Sequence, residues 1–575
     1  MDLLSKNLNG QDTFKENHLE TFKICKSFKF LITTSLFFMA FQSRAIPTEG
    51  HEFLISAPSH YAVETAQKIH KMGGNVVDVA VAAGLTLSVT TPYYAALGGG
   101  GFALVRMNNE VPMALDFREV APLETSPTFY TSNKNRSSQD GGAAIGVPGN
   151  PMGLYELHKK YGKLRWKTLF GDALSLAESG FYVSGEWTAK TSGQEKRFNP
   201  AGKKYFFKDS KKFYLPGELF KQPQLAKALK LFRDQGPKGF YQGRVAKDLV
   251  SSIKSQGGVI RLEDLKKYKV RWLQPIKTKY LNYDVYLMPP PSSGGVVIAQ
   301  ALSMMEILNL HKKPYLSVDE LHTLAEIEYR AFRSRALLGD PDFFKNPIEQ
   351  LTNDKTLKKL AKGISPSKVR PLKPLIDTSD PSESTETTHF TVLDSKGNAV
   401  TLTTTLNGNY GSGVVSDRYG IALNNEMDDF TTRPGEPNMY GLVQGEANKV
   451  EPGKRPLSSM SPTLVLKDGK TVLALGAPGG PRIISGVLQV LYRVIGREMD
   501  IDRAVQAPRL HHQFLPNTLY VDEESLPPLL IRALEKKGHK VEPGWMAKVY
   551  AVQRSGEGLL KAAFDHRGEG AAGGY

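Results

Sequence analysis

The chain has 575 residues, 40% apolar and 23% charged, a make-up shared with ordinary globular proteins and sufficient for a large core, so a fibrous or wholly disordered chain is excluded. Its formal charge of +16 is diffuse. No basic block is interleaved with aromatics and no helix-turn-helix or ribonucleoprotein motif is visible, so nucleic acid is not an expected partner, and a basic surface fits loose attraction to anionic envelope components instead.

In chain order, the leader comes first. Lys23, Lys26 and Lys29 precede an apolar run, Phe30–Phe41, that is too short for a typical membrane-spanning helix, and Ser43-Arg44-Ala45 has the small-x-small form of a signal-peptidase site. Residues 1–45 therefore read as a secretory signal with an overlong start, as a start codon assigned too far upstream would give; an uncleaved anchor is the alternative. The protein is expected to be exported, to a bacterial periplasm or beyond. The only cysteine, Cys25, lies in this leader, so the mature chain is expected to have neither a disulfide nor a thiolate metal site.

Tyr61–Met72 has helical apolar spacing and stops at Gly73-Gly74, and Val76–Val89 is a nearly all-apolar helix that must be buried. Phe102–Met107 and Pro112–Phe117 alternate around the turn signal Asn108-Asn109, which predicts a hairpin with Arg118 at its exit. Helical periods follow at Met152–Tyr161, Trp166–Ser179 and Leu225–Gln235. Lys355–Lys373, lysine-rich and punctuated by proline, reads as a surface linker. Further on, strands Leu464–Lys467 and Thr471–Leu475 flank Asp468-Gly469, and a Gly479-Gly480 turn leads into a helix through Ile484–Arg497. No internal repeat is evident.

Between these blocks lies the most informative stretch. Thr387–Leu393 reads as a strand that turns at Asp394–Asn398 and returns as Ala399–Leu406. Antiparallel pairing keeps the sum of opposed positions constant, so Phe390 faces Leu402, Val392 faces Val400, and Thr387 faces Thr405. A slip of one residue would oppose the apolar set with the polar set Thr387, His389, Thr391, Thr401, Thr403 and Thr405, which a half-buried sheet resists. One face is greasy and the other is a hydroxyl ladder. A lone threonine hydroxyl is a poor nucleophile, but a threonine that begins a chain carries its own base, an α-amine with a pKa of about 7.7–8.0. The preceding segment Asp377–Glu386 is polar, turn-prone and poor in apolar residues, as an exposed cleavable segment would be.

Thr387-Thr388-His389-Phe390, Thr405-Leu406-Asn407, Asn424–Phe430, Arg455–Thr463 and Pro478-Gly479-Gly480 resemble, in order, the small subunit of γ-glutamyltransferases, self-cleaving enzymes of the N-terminal-nucleophile hydrolase class. The resemblance extends through Gly73–Asp78, Leu97–Phe102, Asp116–Glu119 and Pro289–Gly295, and covers nearly everything from about residue 53 to Tyr575. Several ordered motifs are a strong signal where one glycine run is weak. The resemblance implies an α+β fold, a four-layer αββα sandwich built from two subunits cut from one chain: residues 46–386 as the large subunit and 387–575 as the small catalytic subunit, forming a heterodimer.

Autocleavage is expected between Glu386 and Thr387. The freed amine of Thr387 then activates its own hydroxyl for attack on the γ-carbonyl of glutathione or another γ-glutamyl amide, with Thr405 orienting the hydroxyl across the strands. Gly479 and Gly480, just ahead of a helix, can offer two backbone N–H groups to the oxyanion. The family motifs place Asn407, Glu426 and Asp429 around the substrate's α-ammonium and Arg118, Ser458 and Ser459 around its α-carboxylate, where a guanidinium fork supplies bidentate recognition. Thr431–Lys454 resembles the lid of bacterial members, with Tyr440 helping to exclude water from the acyl-enzyme before transfer to water or to an amino acid or dipeptide acceptor.

The twelve histidines show no H-E-x-x-H or comparable cluster, so neither a metal nor an organic cofactor is expected. Ser365-Pro366-Ser367-Lys368 matches the S-x-x-K of penicillin-recognising serine enzymes, but Pro366 spoils the helix and neither S-D-N nor K-T-G follows, so that class is rejected. Two other readings stand beside the transferase. One is a related acylase acting on β-lactam side chains or poly-γ-glutamate, against which Arg118 and Ser458-Ser459 argue by asking for a free α-carboxylate. The other is a cleavage-dead homologue that only binds peptides.

Overall fold

The computed structural model describes residues 47–375, 387–522, 526–555 and 558–575. The leader with Cys25, and the stretch 376–386 that ends in Glu386, lie outside the described residues. Pro47–Tyr575 forms one unit built on two seven-stranded sheets. The first runs Ala571–Gly574, Phe53–Ala57, Thr388–Asp394, Ala399–Thr405, Gly100–Arg106, Met113–Phe117, Arg271–Leu273. The second runs Thr48–Gly50, Leu560–Phe564, Tyr550–Arg554, Lys470–Gly476, Thr463–Lys467, Tyr283–Leu287, Ile276–Tyr280. Every pairing in both is antiparallel.

The threonine hairpin sits at the middle of the first sheet in the register its apolar pattern demands: Phe390 opposes Leu402, Val392 opposes Val400, and Thr388 opposes Thr404. The half-buried sheet expected from that pattern is not what forms. Phe390, Val392, Val400 and Leu402 face the fully buried helix Val76–Thr90, while His389, Thr391, Thr401 and Thr403 are equally inaccessible. The second sheet covers them, because their polar groups satisfy one another. His389 Nδ1 meets Thr403 Oγ1 at 2.8 Å, its Nε2 meets Thr391 Oγ1 at 2.8 Å, and Thr401 Oγ1 donates to the Leu475 carbonyl of the facing sheet at 3.1 Å. Burial pushes the His389 imidazole down to about 3, so it stays neutral and can both donate and accept.

Helices close the two outer faces and complete the αββα order. His60–Lys71, Val76–Thr90, Asn150–Tyr161, Gly171–Ser179, Pro223–Gln235 and Gly243–Ser255 share a core with the outside of the first sheet. Gly294–Ile307, Val318–Arg333 and Arg482–Leu491 share one with the second. Three local expectations are corrected. Lys355–Lys373 is not linker throughout, since Asp354–Lys362 is a helix capped by the Asn353 side chain and anchored by Leu357 and Ala361 at i, i+4 spacing. Trp166–Ser179 divides into a 3₁₀ turn, Trp166–Phe170, and the helix Gly171–Ser179. The helix after Gly480 runs Arg482–Leu491 and then widens into a π-turn over Tyr492–Gly496.

Candidate active site

Thr387 immediately precedes its strand, buried, with its hydroxyl 3.5 Å from that of Thr405. The neighbouring strand must come very close to hold this edge. A side chain on Gly99 would place its Cβ 2.0 Å from the Thr405 carbonyl oxygen, which only glycine avoids. Thr405 is fixed in turn by the Asn407 N–H, which donates to its Oγ1 at 2.8 Å. Asn407 has a left-handed φ of 72°, a conformation asparagine tolerates, and so turns the chain out of the strand just beyond Thr405. Its side-chain amide donates to the Asn425 carbonyl at 3.0 Å.

On one side of Thr387 is a nearly filled pocket of about 20 Å³, lined by Arg118, Arg335, Thr405, Asn407, Glu426, Asp429, Tyr440, Ser458, Ser459 and Gly480 among others. Ten of the sequence-predicted residues thus meet at one place. Arg118, delivered by the exit of the Met113–Phe117 strand, is fully buried and pairs through Nη1 with Glu426 and through Nη2 with Asp429 at 2.5 Å. Burial alone would lower the basicity of this guanidinium, but Glu426, Asp429 and Glu119 together raise it. The residues expected to read the ammonium and those expected to read the carboxylate are therefore one contiguous cluster. An α-amino acid requires this, since its two charges hang from a single carbon.

The cluster holds more acid than base can neutralise directly. Burial pushes the Glu426 carboxyl up to about 8, against the pull of Arg118, and burial also raises Asp429. Glu119 is raised well above the usual carboxylate range by burial and by Glu426 beside it. It stands 3.7 Å from Arg118 Nη1, and neither of its oxygens has a hydrogen-bond partner among the described residues; the same holds for Glu426 Oε2 and the buried Ser459 hydroxyl. Ser458 is tied down by its N–H to Pro291 at 2.7 Å and by its carbonyl, which accepts from Ser293 at 2.8 Å, so the Pro289–Gly295 motif serves as its support.

The lid segment closes over the cluster. Asn438 donates to Asp429 Oδ1 at 3.0 Å, the Met439 N–H to Asp428 Oδ2 at 2.8 Å, and Gln444 to the Asp429 carbonyl at 2.8 Å. The Tyr440 hydroxyl donates to the Asn407 carbonyl at 2.5 Å. Its ring lies so close to Gly480 that a Cβ there would be 2.6 Å from Cδ1. Gly479 and Gly480 have φ of 130° and 52°, a turn that only glycine adopts without strain, and among the described residues neither N–H donates a hydrogen bond. Both precede the helix Arg482–Leu491. Glu386 is the one predicted site residue outside the described residues.

Sequence reasoning assigned no role to Glu119 or Arg335. Glu119 lies in a motif already quoted, next to Arg118. Arg335, which donates to Gln444 Oε1 at 2.9 Å and is lowered to about 10 by burial, comes from a segment without a recognisable pattern and reaches the site only through tertiary folding. On the opposite side of Thr387 opens a second cavity, of about 580 Å³, which the sequence did not announce. Among the described residues no group of three or more His, Cys, Asp or Glu side chains is arranged to hold a metal ion, and no helix is long and apolar enough to cross a membrane.

The chain was compared with known proteins. A glutathione hydrolase proenzyme from Pseudomonas aeruginosa is 41% identical over 527 residues, 90% of this chain and 93% of that protein, and one from Escherichia coli is 40% identical over 530 residues, 91% of each. Among solved structures, a cephalosporin acylase from Bacillus halodurans superposes with a TM-score of 0.82 over 93% of this chain and 98% of its own at 23% identity, a likeness of fold. A chain of Helicobacter pylori gamma-glutamyltranspeptidase is 38% identical, with a TM-score of 0.54, covering 55% of this chain and 93% of its own. The Gamma-glutamyltranspeptidase family profile matches residues 62–575, and the chain belongs to that family.

Proposed function

We propose that this protein is a self-processing γ-glutamyltransferase and glutathione hydrolase whose nucleophile is Thr387. The observation that carries the reading is the placement of the Thr387 hydroxyl, 3.5 Å from Thr405 Oγ1 and at the rim of a sealed pocket that pairs Arg118 with Glu426 and Asp429. The relatives named above as glutathione hydrolase proenzymes support it from sequence.

In the precursor, Thr387 Oγ1 attacks the Glu386 carbonyl carbon, the peptide C–N bond breaks, and water hydrolyses the resulting ester to free the Thr387 amine. Residues 46–386 and 387–575 then form a heterodimer. The free amine takes the hydroxyl proton as Oγ1 attacks the γ-carbonyl of a γ-glutamyl amide, and Thr405 orients that hydroxyl. The oxyanion is received by the Gly479 and Gly480 N–H groups, which are already oriented and need no reorganisation. Arg118, Ser458 and Ser459 hold the α-carboxylate, while Asn407, Glu426 and Asp429 hold the α-ammonium. Tyr440 and the lid keep water from the ester until water or an acceptor amine enters from the other side. The charged cluster asks for a free α-amino acid head, which favours γ-glutamyl compounds over substrates without one. Residues 1–45 act as an export signal in this reading.

Denaturing electrophoresis of the mature protein tests it. Two bands of roughly 38 and 21 kDa are expected at about 110 Da per residue, the lighter beginning at Thr387, together with release of aniline from a γ-glutamyl anilide. A single uncut band without anilide turnover would instead favour a peptide-binding homologue.

A further inference from the structure

The cavity of about 580 Å³ that shares Thr387 and Gly479 with the catalytic turn has a chemistry unlike that of the sealed pocket. Its walls carry Tyr93, Tyr94, Trp545 and Tyr550, and among the described residues its charged members balance: Lys190, Lys548 and Arg567 against Glu186, Asp522 and Glu569. Several of these charges are already paired within the wall. Lys548 donates to Glu186 at 2.7 Å, and Arg567 pairs with Asp522 and Asp565. Charges that pair with one another within the wall leave its aromatic surface as the main contact for an incoming molecule.

Trp545 is the part of the wall set up for contact. It is 37% exposed in a protein whose other three tryptophans are more covered, yet it is not loose. The Arg482 guanidinium lies 4.8 Å from its ring centroid, and Arg482 Nη1 donates to its carbonyl at 2.7 Å. The ring also rests on the oxyanion turn: a Cβ on Gly479 would come within 3.0 Å of Trp545 Cζ3. An immobilised aromatic beside the reacting carbon offers an incoming amine a stacking surface at little entropic cost.

We propose that Trp545, on the side of Thr387 that the reading above gives to the leaving group and acceptor, makes that side selective for amino acids or dipeptides whose first side chain is aromatic or large and apolar. The proposal rests on Thr387 being the acylated nucleophile. In the transfer step the acceptor's amine nitrogen bonds to the γ-carbonyl carbon of the γ-glutamyl–Thr387 ester, the bond from that carbon to Oγ1 breaks, and the proton lost by the amine passes through the Thr387 α-amine to Oγ1.

The test is acceptor competition on the wild-type enzyme and on Trp545→Ala and Trp545→Phe, with a γ-glutamyl anilide as donor and phenylalanine, glycine, lysine and glutamate as acceptors. All acceptors draw on the same acyl-enzyme, so the product ratio is independent of how fast each variant is acylated. In the wild type we expect phenylalanine to exceed glycine by about tenfold and both charged acceptors to trail phenylalanine. The phenylalanine-to-glycine ratio should fall close to one in Trp545→Ala and lie between in Trp545→Phe. A wild-type ratio near one, or a ratio unchanged by either substitution, overturns the proposal, and the wild-type series decides it even if a variant fails to mature. Absence of any aniline release would instead count against Thr387 as the nucleophile, and is read separately from the ratios.

Discussion

Thr387 separates two unlike spaces. On the Arg118 side, two guanidinium and two carboxylate groups crowd a pocket of about 20 Å³ with a third carboxylate behind it; on the Trp545 side, about 580 Å³ is walled by aromatics and by charges that pair among themselves. Charge recognition is strong where water is excluded and weak where water screens it. The sealed side can therefore insist on one ionic pattern, an ammonium and a carboxylate on the same carbon. The open side can discriminate only through contact area. In the proposed reaction, strictness toward the donated group and a looser, contact-based choice of what leaves or accepts follow from this difference in burial, with Thr387 serving both.

The sharpest way to break the comparison is to remove the boundary. Thr387→Ala should abolish both subunit formation and turnover, seen as one band on denaturing gels and no aniline release above background. Arg118→Ala attacks only the sealed side. Removing one partner of a buried ion pair costs about 3–5 kcal/mol, because the other charges are left uncompensated. We expect kcat/KM for the donor to fall by about 10²–10³-fold while cleavage into two bands proceeds and acceptor ratios measured on residual activity stay unchanged. A loss of processing in this variant would mean that the cluster also organises the precursor. Gly480→Ala should cost about 10²-fold in kcat, since a φ of 52° and the Tyr440 ring 2.6 Å from the new Cβ force the oxyanion turn to move.

The sealed side was largely legible from sequence and the open side was not. The hairpin register followed from the alternation of Phe390, Val392, Val400 and Leu402, a local signal with a fixed period of two. The residues that meet around the small pocket were readable as ordered motifs where they occupy a tight turn or strand end: Asn407 at a left-handed φ, Gly480 ahead of a helix, Arg118 at a hairpin exit. What stayed hidden has no local period. The hydroxyl ladder looked like the wetter face of a half-buried sheet, and only the second sheet, whose strands come from widely separated segments, determines that His389 and Thr401 are buried between layers. Arg335 acquires its place from Gln444, far along the chain, and the raised Glu119 carboxyl comes from burial and from Glu426, which only the folded chain brings near. The wall of the open cavity is assembled from Tyr93–Tyr94, Glu186–Lys190, Gly544–Lys548 and Arg567–Glu569, none of which is a motif alone.

Acidity offers a smaller and more diagnostic contrast. Burial raises the Glu426 carboxyl to about 8 against the pull of Arg118, so the empty folded site takes up a proton there at a higher pH than the unfolded chain, where the group ionises near 4.5. The native state thus binds more protons than the unfolded state across that window, so this group's contribution to stability declines as pH rises from about 4.5 to about 8. In the proposed donor complex the substrate's ammonium takes the place of that proton, which leaves when the donor binds. Below about pH 7, log kcat/KM for the donor should therefore climb with a slope near two, one proton from Glu426 and one from the Thr387 amine. Glu426→Gln should reduce the slope to one and lessen the pH 7 penalty by up to about tenfold. A slope unaffected by the substitution would show that Glu426 is already ionised in the empty site.

The smallest expected effect lies at the seam between the two sides. The Tyr440 hydroxyl reaches the Asn407 carbonyl at 2.5 Å and the Asn407 side-chain amide reaches Met439 Sδ at 3.6 Å, so the lid is tied to the turn that leaves the Thr405 strand. Tyr440→Phe keeps the ring against Gly480 and removes the hydroxyl's bond, at a cost of about 0.5–1.5 kcal/mol. Because the bond holds the lid shut over an ester that has already formed, the cost should appear as escape of the acyl group to water rather than as slower acylation. We expect the fraction hydrolysed, at a fixed acceptor concentration, to rise roughly two- to tenfold relative to transfer, with little change in the rate of aniline release under single-turnover conditions. Equal hydrolysis in the variant and the parent would mean that water reaches the ester from the open cavity, and that the lid guards only the donor's charged head.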